Sequence, residues 1–133
     1  MAETFSTAAR AIFDKRVIAH VASLGPDGAP YVSPVWVELN GDDVVMNTAL
    51  GRVKARNLAT DPRVAVSLTD PDDDEVCVVV LGTVVGFTTK GADEVIDRLA
   101  KKYTGSDVFL DRSVGQVRVT VTIRPDRIAR QPD

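Results

Sequence analysis

One cysteine, one histidine and one tryptophan occur in the 133 residues, and aromatic residues are only 5% of the total. The lone cysteine, Cys77, excludes an intramolecular disulfide framework and fits a reducing, cytoplasmic setting. His20 is the sole imidazole, so no His/Cys pair stands at metal-ligand spacing and no metal site is expected. Long apolar runs are missing too. The longest, Val76 to Leu81, is far shorter than a bilayer span, so no membrane partner is expected. Met1 to Phe13 lacks a basic stretch leading into an extended apolar one, which predicts no secretory leader. A basic excess is likewise absent. Sixteen Lys+Arg against nineteen Asp+Glu give a net charge of −3, which argues against a general nucleic-acid binder. There is no internal repeat, and the one biased segment is the acidic run Asp70 to Glu75. That run lacks the glycine and ligand spacing of a calcium loop, so it reads as a solvated loop.

What remains is an ordinary globular composition, 44% hydrophobic and 26% charged, in a length that predicts a single domain over residues 1–133. Thr4 to Lys15 has apolar residues at helical spacing (Phe5, Ala8, Ala9, Ile12, Phe13), with Thr4 or Ser6 as cap. From Val17 the pattern becomes β. Strands are predicted at Val17 to Leu24, Tyr31 to Leu39 and Asp43 to Thr48. Turns at Gly25-Pro26-Asp27-Gly28 and Asn40-Gly41 join them into a meander. Pro34 interrupts the second strand, which marks an edge, a bulge or a face that meets something other than a strand. Leu50 to Thr60 reads as a helix ended by Asp61-Pro62. Strands follow at Val64 to Thr69 and at Val76 to Thr89, the latter bent at Gly82 or Gly86. A helix at Gly91 to Tyr103, a loop at Thr104 to Ser113, a last strand at Val114 to Ile123 and a tail from Arg124 complete the chain. Short turns imply antiparallel pairing. The predicted fold is mainly β (α+β): a small six-stranded antiparallel barrel, closed or partly closed, with peripheral helices.

The segment richest in chemistry is Thr48-Ala-Leu-Gly-Arg-Val-Lys-Ala-Arg-Asn57. Arg52, Lys54 and Arg56 stand at the mouth of a predicted helix, where free N–H groups already attract anions. On a helical wheel Arg52 and Arg56 share one face, while Lys54 and Asn57 fall on the inward side. A solvated basic helix with a snorkelling Lys54 is one reading, and a phosphate or carboxylate site is the other. Trp36 reads as a core residue or as a ring-stacking surface. The residues by themselves reach only an anion-binding β-barrel.

Four stretches carry a resemblance: His20 to Pro30, Val32-Ser-Pro-Val-Trp-Val37, Asn47 to Leu58, and Asp61-Pro-Arg-Val64. Their order and spacing resemble the pyridoxamine 5′-phosphate oxidase-like split β-barrel (FMN-binding-like) family, in its deazaflavin-dependent reductase branch. The resemblance implies a homodimer with cofactor sites at the interface. It implies coenzyme F420 as cofactor, with FMN as the alternative. Arg52, Lys54 and Arg56 would hold the cofactor phosphate or acidic tail, and Asn57 would orient the helix start. Thr48 and Ala49 would add hydroxyl and backbone contacts. Ser33, Pro34, Val35 and Trp36 would line the ring. The implied reaction is hydride transfer from a reduced deazaflavin to a small unsaturated or quinone-like acceptor, with position and dryness supplied by the protein. No catalytic residue is assigned; solvent or Tyr31 would supply a proton. Arg118, Arg124 and Arg127 are the C-terminal arginines among which one could reach a partner's site. A non-catalytic flavin-, deazaflavin- or tetrapyrrole-binding protein is the reading from another class.

Overall fold

The computed structural model describes residues 2–110 and 115–133. The predicted loop end at Ser113 and strand start at Val114 lie outside them. Helix α1 spans Thr7–Phe13 and is capped by Ser6, whose Oγ accepts from the Ala9 N–H at 3.1 Å. Strands β1 (Ala19–Leu24), β2 (Pro30–Val35), β3 (Val37–Asn40) and β4 (Asp43–Ala49) precede helix α2 (Val53–Thr60). Strands β5 (Arg63–Thr69) and β6 (Cys77–Thr88), helix α3 (Ala92–Thr104) and strand β7 (Arg118–Arg130) follow. No helix among the described residues is long and apolar enough to cross a membrane.

The described strands form one antiparallel sheet in the order β2-β1-β5-β6-β7-β4-β3. There are seven strands rather than the expected six, because Tyr31 to Leu39 divides at Trp36. The expected meander is therefore two hairpins. β2 pairs only with β1, β3 pairs with β4, and the two halves lie at opposite ends of the strand order. Trp36 joins those ends, so the sheet curls into a half-barrel.

Alternating side chains of the strands face inward, as a half-buried sheet requires. Val21, Val66, Val78, Val80, Val44, Met46, Val121 and Ile123 form the core, joined by Phe5, Ile12 and Phe13 from the N-terminal segment. The Phe5 and Phe13 rings lie 5.0 Å apart. Cys77 is half-buried.

β7 runs seven residues past the expected end at Ile123, because pairing with β6 continues around Pro125. A register shift beside Gly82 accommodates that proline, which cannot donate to the ladder. The strands approach closely here: a Cβ on Gly82 would lie 2.6 Å from the Arg124 carbonyl oxygen. Gly82→Ala should therefore cost about 1–3 kcal/mol of stability, read as a lowered urea midpoint at unchanged slope.

Candidate functional site

The chain leaves β4 and enters α2 through a tight turn. The Leu50 N–H donates to the Val117 carbonyl at 2.9 Å, and Gly51 takes a φ of +93°, which only glycine adopts cheaply. Arg52 then sits extended as the N-cap of α2, so the helix starts at Val53 rather than Leu50. No side chain caps this end and no acid stands in its first turn. Its opening N–H groups and positive dipole are left to meet an anion. α1, by contrast, carries its own cap.

Beside this mouth lies a cavity of about 300 Å³. Ile18, Pro34, Val35, Trp36, Ile96 and Phe109 form its apolar wall; Asn47, Arg52, Lys54 and Arg118 are its polar lining. Lys54 is half-buried and donates from Nζ to Ser33 Oγ at 3.1 Å. Burial first, then the neighbouring Arg52 and Arg118 charges, hold its pKa below the ordinary 10.5. Arg118, 6% exposed, donates from Nε to Asn47 Oδ1 at 2.8 Å and lies over the Phe109 ring, 5.1 Å from its centre. Asn47 in turn donates to the Ala92 carbonyl at 2.8 Å, which ties the first turn of α3 to β4.

The aromatic wall is held from behind. Trp36 stacks on Tyr103 (5.1 Å, 11°) and meets the Phe109 ring edge-on at 6.0 Å. The Tyr103 hydroxyl donates to the Val17 carbonyl at 2.6 Å and accepts from the Val37 N–H at 3.0 Å. Lys102 Nζ donates to the carbonyls of Phe13 and Val37. The last turn of α3 thus satisfies the backbone groups freed where the sheet divides.

Of the residues singled out in the sequence, the cavity brings together Pro34, Val35, Trp36, Arg52 and Lys54, with Ser33 bonded to Lys54. Most of the others are placed elsewhere. Arg56 and Tyr31 line a separate groove of about 620 Å³ along α2. Asn57 is the fifth residue of α2, not its start, and donates to Ser23 Oγ of β1 at 3.1 Å. Ala49 is buried, and Thr48 is fully buried with a hydroxyl that has no partner among the described residues. Arg118 lies in this chain's own cavity, whereas Arg124 pairs with Asp126 at 2.8 Å. Sequence reasoning missed Ile18, Asn47, Ile96 and Phe109. Among the described residues no group of three or more His, Cys, Asp or Glu is placed to hold a metal ion.

The curled antiparallel half-barrel thus carries an apolar cleft beside a basic, uncapped helix mouth. The chain belongs to the pyridoxamine 5′-phosphate oxidase family, whose model matches residues 5–131. This is a family of flavin-binding oxidoreductases. The fold is similar to that of an F420 reductase (TM-score 0.84, 24% identity, 96% of this chain and 100% of that one). It also resembles a conserved hypothetical protein of Mycobacterium tuberculosis (0.72, 23%, 96% and 84%). A third is the HupZ protein of Group A Streptococcus (0.67, 15%, 97% and 100%). No curated protein matches the chain.

The cleft's donor set fits the group this family implies. The apolar wall suits a planar ring, and the open N–H groups of α2 with Arg52 and Lys54 suit its phosphate.

Proposed function

We propose that the protein is a deazaflavin-dependent reductase that uses coenzyme F420 to reduce a small unsaturated or quinone-like acceptor. One observation carries this reading: a single cavity joins an aromatic wall to the basic mouth of α2. The bound cofactor would supply the hydride. Trp36, Pro34 and Val35 would orient the ring, and Ile96 and Phe109 would exclude water from it. Arg52 and Lys54 would hold the phosphate. Arg56, on α2 beyond Arg52 and in the groove along that helix, would meet an acidic tail. Tyr31 lies in the groove with Arg56, apart from the ring wall, so solvent would supply the proton.

The homodimer belongs to this proposal. Val32, Ala22, Ala65 and Leu81 stand directly opposite one another across four strands and share the outer face of the sheet. Val32 is 63% and Leu81 42% exposed, an apolar row that a second copy would cover. Leu81→Glu should convert the dimer to monomer, read by light scattering on an eluting column. A monomer already in the unaltered protein would remove this interface.

The activity itself is tested by mixing protein and reduced F420 with menadione and following the return of oxidised-cofactor absorbance. Protein-dependent oxidation supports the reductase. Tight F420 binding without turnover would make the protein a carrier. Turnover with reduced FMN alone would assign it to the flavin branch.

A further inference from the structure

The chain has five lysines, and their surroundings differ. Lys15 pairs with Asp70 and Asp72 (2.8 and 2.7 Å), and Lys101 with Asp107 (3.0 Å). Lys102 is half-buried, but its ammonium hydrogens go to two backbone carbonyls. Lys90 is exposed at a turn. Lys54 alone borders a cavity of about 300 Å³, and no acidic side chain lines that cavity among the described residues. Its side-chain hydrogen bond goes to a neutral hydroxyl, Ser33 Oγ, and the charges that act on it among the described residues are those of Arg52 and Arg118. Among the described residues Lys54 is partly desolvated and has arginines rather than carboxylates beside it, an arrangement that favours the neutral amine. Burial also lowers the Lys102 pKa, against the opposite pull of Asp14 and Glu38, but its ammonium is taken up by the Phe13 and Val37 carbonyls.

We infer that the cofactor-free cleft is a covalent site for anionic aldehydes and ketones, with Lys54 as the condensing amine. The carboxylate or phosphate of such a compound would settle at Arg52 and the open N–H groups of α2, which brings its carbonyl to Lys54. The Nζ lone pair forms a bond to the carbonyl carbon. The carbonyl oxygen leaves as water with the two amine hydrogens, and a neutral imine remains. Nothing is oxidised or reduced. A cofactor phosphate in the same place would keep Lys54 protonated, so cofactor binding and condensation exclude one another.

The test maps reductive labelling of the intact protein at pH 7 with glyoxylate and cyanoborohydride, by peptide mass spectrometry. The quantity read is the rate at Lys54 relative to exposed Lys90. We expect a ratio of about ten or more, because the aldehyde is held by its anionic group beside this amine. The ratio should be smaller with neutral propionaldehyde and should approach one in saturating inorganic phosphate. A glyoxylate ratio near one overturns the inference. So does an equal ratio for the two aldehydes, or a ratio that phosphate leaves unchanged. The experiment needs no deazaflavin, so its outcome is independent of the proposed reductase activity.

Discussion

Lys54→Ala should weaken F420 binding by about 1.5–3 kcal/mol, roughly ten- to a hundredfold in Kd, and leave the fold intact. The loss is that of a charge-assisted contact made in a half-buried cleft beside an apolar wall. The fold should survive because Lys54 contributes only its bond to Ser33, whereas α2 is anchored by Asn57 to Ser23 and by buried Ala55 and Leu58. The pH dependence follows from the cause of the depressed lysine pKa. In the empty cleft, burial and two arginines disfavour the charged form; a bound anion favours it and raises the pKa. Binding therefore takes up a proton in the window between the lowered value and the bound one. Affinity should be fullest below the lowered value and fall as pH rises through it. Lys54→Arg should keep most of the affinity and flatten this dependence, and Lys54→Ala should abolish it. Calorimetric titration across pH, in buffers of different ionisation enthalpy, checks both signs. A Kd unmoved by Lys54→Ala removes this residue from the cofactor site.

Tyr103→Phe carries the second large effect, about 1–3 kcal/mol of stability. The ring and its stack on Trp36 remain, but the hydroxyl is lost. The Val17 carbonyl and the Val37 N–H then lose a partner where the chain passes from β2 to β3. No other tryptophan is present, so Trp36 reports on this place alone. The variant should show a lower unfolding midpoint and a shifted Trp36 emission, with F420 affinity weakened less than by Lys54→Ala. Lys102→Met, which removes the second tie to the Val37 carbonyl, should act on the same spectrum. An unchanged midpoint and emission for both variants would show that α3 does not hold the aromatic wall.

The parts of the fold legible in the sequence were those with local causes. Alternating valines, the Gly25 to Gly28 turn, Asn40-Gly41 and the helical spacing of α1 and α3 each act within a few residues, and each element lies near its predicted place. The division at Trp36 was not legible, because Val35-Trp36-Val37 continues a run of good strand formers. Only Pro34 hinted at it. The length of β7 was hidden for the opposite reason: Arg124-Pro125-Asp126 reads as a turn, and the bulge at Gly82 that keeps it in the sheet is a property of the pair. The same distinction holds for the cleft. Its basic half is contiguous in sequence, with Arg52 and Lys54 at the mouth of one short helix. Its other half is assembled from Ile18 before β1, Asn47 on β4, Ile96 on α3, Phe109 after it and Arg118 on β7. Strand order, not spacing, brings those five together. Lys54 was ambiguous on the helical wheel, between snorkelling to water and facing inward, and the geometry places it against the cavity.

The central claim is that one cleft joins a ring-binding wall to an anion-binding helix mouth. Parallel titrations with F420 and FMN, each followed by Trp36 emission in unaltered protein and in Lys54→Ala, test it most directly. Saturable quenching by F420 at roughly micromolar concentration is the expected result, with weaker binding of FMN and a clear loss in Lys54→Ala. Absence of quenching by either cofactor, or quenching that Lys54→Ala leaves unchanged, would contradict the account.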